Sequence, residues 1–194
     1  MSAILDLPSI KSRTHLISIR EYHALGEMGF LSKRTELIEG VVIQKIPKSP
    51  KHATMILRIM NFFSDKISKK LHLRSEQPLT LTRSEPEQNI SIISGNLEDY
   101  SESHPTTAEL VIEVSLSTLA EDREMANIYA EAKIPEYWLF NLNNNTVEVY
   151  QKPKEERYSE IKTYSETETI VPEFDTSIKL ELEAMFQVSS SNKK

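Results

Sequence analysis

The stretch "ELVIEVS", residues 109–115, decides the fold. Leu110, Val111, Ile112 and Val114 make it nearly continuous in apolar residues, which suits a central strand buried on both faces. Glu113 interrupts the run. A carboxylate is costly inside an apolar sheet unless it is paired, hydrogen-bonded or bound to a metal. Alternation places Glu113 on one face with Val111 and Ser115, and Ser115 lies near the strand end, where α/β sites open. The local pattern supports two readings equally. Glu113 is a metal ligand, or it is a structural acid that pairs with Arg123 or caps a loop.

Elements on either side follow from periodicity and caps. Upstream, Ser18 and Glu21 form a capping box for a short helix in "SIREYHALGEMG". "TELIEGVVIQKI" predicts a hairpin turning at Glu39-Gly40. Ile56, Ile59, Met60, Phe63 and Ile67 recur at helical spacing, which predicts a long amphipathic helix over residues 49–71. "RSEQPLTLTR" and "NISIIS" read as strands. Downstream, Thr118 with Glu121 predicts a second capping box, opening the helix "LAEDREMANIYAEA". "EYWLFNL" and "TVEVYQK" flank "NNN" as a hairpin. "RYSEIKTYS" and "ETIVP" add strands, and "SIKLELEAMF" adds a strand and a short helix. The expected fold class is mixed α/β (α+β), a central sheet flanked by helices. Residues 16–187 form one expected domain, after an N-terminal extension (1–15) and before a disordered polar tail (188–194).

Composition bounds the function. The 194 residues include no cysteine, which excludes thiol catalysis and disulfides and fits the cytoplasm. No apolar run approaches the ~18 residues of a spanning helix, and no signal peptide is read at the N-terminus. With a net charge of −6, the chain is not a generic nucleic-acid coater. The basic run "KISKKLHLR" (66–74) reads as a solvated helix end, with a local DNA patch as the alternative. There is no Gly-rich phosphate loop or Gly-x-Ser-x-Gly elbow, so no organic cofactor is expected.

Glu36, in "RTELIEG", is a second acid in a segment otherwise fit for burial. Acids from two elements can share one Mg²⁺, a hard ion that takes oxygen ligands. Such an ion prepares a water and steadies charge on phosphate. His52 starts the long helix and reads as a capping or packing residue. His104 precedes Pro105 and reads as a loop residue. Tyr137 and Leu139 should face one side of their strand, Trp138 and Phe140 the other, all as core.

Six segments together resemble the Uma-two family of endonucleases: "RTELIEG", "SPKH", "SEPEQNISIISG", "DYSESHP", "ELVIEVSLSTLAEDR" and "IYAEAKIPEYWLFNL". The last two are the most specific, and the resemblance runs from about Leu16 to Pro153. It implies the restriction-endonuclease-like PD-(D/E)XK fold, Mg²⁺- or Mn²⁺-dependent hydrolysis of DNA, and a homodimer. It assigns metal-ligand acids to Glu36 and Glu113. The family's strand-opening aspartate falls on Asn89, with Gln88 in place of the preceding proline. Its helix lysine falls on Met125, or on Ala126 when counted from Asp122, and neither register gives lysine; its helix-end glycine falls on Lys133. Glu87, two residues before Asn89, is the available substitute acid. An amide lacks the charge of a carboxylate, and methionine neither donates a hydrogen bond nor carries charge. Weak or absent catalysis is therefore expected, or a non-catalytic module that binds nucleic acid or protein.

Overall fold

The computed structural model describes residues 7–187, so the polar tail expected at 188–194 lies outside the described residues. The chain divides into two compact units.

The first unit comprises residues up to Lys45 together with Arg83–Pro86. It contains α1 (Pro8–Lys11), α2 (Ile19–Glu27) and the antiparallel hairpin of β1 (Thr35–Ile38) and β2 (Val41–Gln44). The Ser18–Glu21 capping box forms as expected, each side chain bonding the other's backbone N–H. The hairpin turns at Glu39 and Gly40, both at positive φ (48° and 79°), as a two-residue turn of matching twist requires. A side chain at Gly40 would meet the Leu16 Cβ at 2.7 Å. Leu37 is fully buried and exchanges backbone contacts with Glu85. Glu85 in turn holds His23, with the His23 Nε2 2.8 Å away.

The second unit carries a six-stranded mixed sheet in the order β3 (Leu71–Ser75), β4 (Ile90–Ser94), β5 (Leu110–Ser115), β6 (Glu136–Asn141), β7 (Thr146–Lys154), β8 (Arg157–Ser165). Only β5 and β6 run parallel, joined by α4 (Leu119–Glu131); the other neighbours are antiparallel. β9 (Thr169–Ile170) and β10 (Leu180–Glu181) pair separately. Every residue of β5 and β6 is buried, confirming the central strand inferred from "ELVIEVS". Alternation sends Ile112, Val114, Trp138 and Phe140 into one core with α3 (Pro50–Ser64) and α5 (Leu182–Phe186). Val111, Tyr137 and Leu139 enter the opposite core with Ala126, Tyr129 and Ala130 of α4.

Three local expectations fail for physical reasons. α3 stops at Ser64, so Ile67 and the basic run lie beyond it; Lys69 and Lys70 occupy a turn and Arg74 a strand. The strand expected in "RSEQPLTLTR" is displaced to Leu71–Ser75, because its partner β4 fixes the register Leu73↔Ile92 and Glu76 then turns at φ 56°. Thr118 makes no cap bond; its hydroxyl donates to the Asp122 carboxylate at 2.6 Å instead.

Candidate functional site

The β4–β5 ladder ends at Ile90↔Ile112, and the site begins one residue further. Beyond that pair the backbones stop pairing, which would strand two buried N–H groups, a cost of about 1–3 kcal/mol each. Side chains take over. The Asn89 N–H donates to Glu113 Oε2 at 3.0 Å, and the Val114 N–H donates to Asn89 Oδ1 at 2.8 Å. The acid and the amide thus replace one rung of the sheet reciprocally. Both are buried, at 9% and 7% exposure.

Each then reaches a helix. Tyr129 of α4 donates its hydroxyl to Glu113 Oε1 at 3.1 Å. His52, in the first turn of α3, places Nε2 2.9 Å from Asn89 Oδ1. A backbone N–H can only donate, so the atom facing Val114 is the Asn89 oxygen. His52 Nε2 must therefore also donate to it. That amide oxygen has both lone pairs engaged. Gln88 is buried beside it and anchors the strand entry, donating to the Gln77 carbonyl (2.8 Å) and the Ser91 hydroxyl (3.0 Å). Glu87, half-buried, precedes β4.

Asp122, on the first turn of α4, is an acid that sequence reading did not single out as a site residue. Burial raises its pKa, opposed by the Thr118 hydroxyl and, less strongly, by the Ser115 hydroxyl; His52 also acts on it electrostatically. The Ser115 Oγ is buried and makes no well-directed hydrogen bond, so it acts on Asp122 through proximity. The site therefore gathers His52, Asn89, Glu113 and Tyr129, with Asp122 nearby. Glu36 lies on β1 of the first unit, half-buried, opposite Ile43. Arg123 forms a two-pronged pair with Glu148, so the expected alternative of an Arg123–Glu113 pair is replaced by the strand cap. The lysine next to His52, Lys51, donates to the Leu142 carbonyl at 2.6 Å.

A family model described as "putative restriction endonuclease" (Uma2) matches residues 19–184. The chain belongs to the Uma2 family. The fold is shared with the crystal structure of a "putative nuclease belonging to DUF820" from Anabaena variabilis. That protein is 19% identical, with a TM-score of 0.66, and the alignment covers 84% of this chain and 96% of the other. No curated protein matches the chain.

Uma2 membership brings restriction-endonuclease-like proteins, which generally use divalent metals, into comparison with this donor set. The set does not fit such an ion. Asn89 Oδ1 is saturated by two donors, and both Glu113 oxygens accept protein hydrogen bonds. Among the described residues no three His, Asp or Glu side chains are grouped closely enough to hold a metal. Met125 is half-buried and packs against the α4-side core, as its apolar side chain should. Lys133 adopts φ 58° and closes α4, with its N–H on the Ala130 carbonyl and the Ile134 N–H on that of Tyr129. This left-handed ending normally calls for glycine.

Proposed function

We propose that this Uma2 protein retains the nuclease fold and a nucleic-acid ligand but hydrolyses phosphodiester bonds weakly or not at all. One observation carries this reading: Asn89 Oδ1 is committed to the Val114 N–H and to His52. In a metal-dependent nuclease the ion would prepare a water and neutralise charge on the phosphate. Here Asn89 and Glu113 terminate the strand pair instead, and Met125 supplies no cation. His52, donating through Nε2, orients the amide.

The test is nicking of supercoiled DNA, and cleavage of single-stranded DNA, with Mg²⁺ or Mn²⁺. The natural chain is expected to be inert. The double variant Asn89→Asp, Met125→Lys is expected to cut, and adding Glu113→Gln to silence it. Cutting by the natural chain that Glu113→Gln abolishes would overturn the reading and make Glu87 or Asp122 the next residue to replace.

Association of two copies is part of the proposal. Met28, Phe30, Val41 and Ile43 of the first unit are large apolar side chains left exposed, which favours a protein partner. Light scattering should return twice the chain mass, and charged replacements at Phe30 and Ile43 should halve it. Cytoplasmic residence is likewise proposed, from the absence of cysteine.

A further inference from the structure

β3 is an edge strand of the sheet, and one of its faces is basic. His72 and Arg74 pair with Ile93 and Ser91, so both point to the α4 side. Lys69 and Lys70 precede them in the turn that leads into β3.

The cations lack local compensation. Among the described residues, Lys69, Lys70 and Arg74 form no ion pair, in a chain whose net charge is −6. Arg74 spends Nε on Gln77 Oε1 (3.0 Å) and Nη2 on His104 Nδ1 (3.4 Å), while Nη1 is buried without an acceptor. Partial burial lowers its pKa, and no carboxylate offsets that cost. Elsewhere Arg123 and Lys152 each hold a glutamate.

A cleft of about 630 Å³ lies along this edge, between the Lys69–Lys70 turn with His72 and the loop from Ser94 to Glu98. The loop is held in shape. His72 Nε2 donates to the Gly95 carbonyl (2.9 Å), the Tyr100 hydroxyl donates to the Ser94 carbonyl, and Asp99 accepts the Asn96 N–H. Gly95 sits at φ 110°, where a Cβ would strike the Tyr100 hydroxyl at 2.7 Å. Leu97, 63% exposed, gives the wall an apolar surface, and Glu98 is the one acid in the lining. Cations in line with an apolar wall suit phosphates in series and the sugars or bases between them.

We infer that the cleft lined by Lys69 and Lys70 of the turn and by His72 of β3, with Arg74 further along the same strand, is a binding groove for the sugar-phosphate backbone of a single nucleic-acid strand. This rests on the nucleic-acid part of the proposed function, not on cleavage, and it uses none of the residues at the mouth of β4 and β5.

The experiment is fluorescence anisotropy of a labelled oligothymidylate of about 12 nucleotides with the full chain, titrated between about 50 and 200 mM salt. Lys69→Gln with Lys70→Gln should weaken binding tenfold or more and reduce the log–log salt slope by about 1.4. Arg74→Gln should weaken it further. Control replacement of the exposed Lys154 and Lys179 by glutamine should leave binding within twofold. Equal binding by the Lys69/Lys70 variant and the control would overturn the groove while leaving a nucleic-acid ligand standing. No binding by the natural chain would overturn both. Tighter binding to a duplex of the same length, or equal binding to polyglutamate, would overturn the single-strand assignment.

Discussion

Two buried glutamates, Glu113 and Glu148, sit on adjacent parts of one sheet and are held in opposite ways. Glu148, on β7, receives a two-pronged Arg123 and the Tyr150 hydroxyl. Burial alone would raise its pKa, but the Arg123 and Tyr150 bonds outweigh that and hold the carboxyl below its usual range. Glu113, on β5, accepts from two neutral donors, a backbone N–H and a phenol. A charge met by a charge gives a rigid ion pair. A carboxyl met by neutral donors ties together groups the fold itself left open, here the N–H where β4 and β5 separate. Glu136, at the mouth of β6, belongs with the second kind. It accepts from Gln151 Nε2 and the Glu173 N–H, both at 2.8 Å, and burial lifts its pKa to about 7.

The comparison can be broken most sharply at Glu113. Glu113→Ala removes the acceptor of the Asn89 N–H and of the Tyr129 hydroxyl in a buried site, with an expected loss of about 4 kcal/mol. Glu113→Gln should keep about half of that stability, as urea melts would show. If alanine costs no more than glutamine, the strand-cap role fails.

Glu136 sharpens it through pH. The folded chain binds this proton with a pKa of about 7, and an ordinary glutamate releases it near 4.5. The stabilisation is therefore complete below about 4.5 and is lost as pH rises through 7. Glu136→Gln, with Gln151 free to turn its amide, should raise stability at pH 8 by up to about 3 kcal/mol and change it little at pH 4. Melting curves across that range check the sign.

Arg123→Ala should cost about 2 kcal/mol, because it leaves Glu148 buried without its cation while Arg123 itself is half exposed. This loss should shrink at high salt, whereas that of Glu113→Ala should not. The smallest effect is at Lys133, where glycine should stabilise by about 1 kcal/mol by relieving the left-handed backbone.

Much of this was legible in the sequence. "ELVIEVS" announced a buried strand because Leu110, Val111, Ile112 and Val114 make it nearly continuous in large aliphatic residues. Met125 announced apolar packing because its side chain can do little else. Ser18 and Glu21 announced their cap because both partners lie within one turn. Other features depend on competition between local acceptors or on the distant chain. Thr118 had an acid at the capping-box position, but Asp122, one residue on, offers its hydroxyl a closer acceptor. The edge strand moved to Leu71–Ser75 because β4 fixes its register, and no local pattern encodes that. The pairing of His52 with Asn89 spans 37 residues, and sequence shows only that each is polar.

The rung that Glu113 and Asn89 rebuild has a consequence for reading descent. Wherever two strands part at this point, the chain needs an acceptor there in order to fold. Purifying selection on stability alone can then keep a glutamate long after any chemistry has lapsed. The acid at this position is a record of architecture, and a relative that carries it has not thereby declared itself an enzyme.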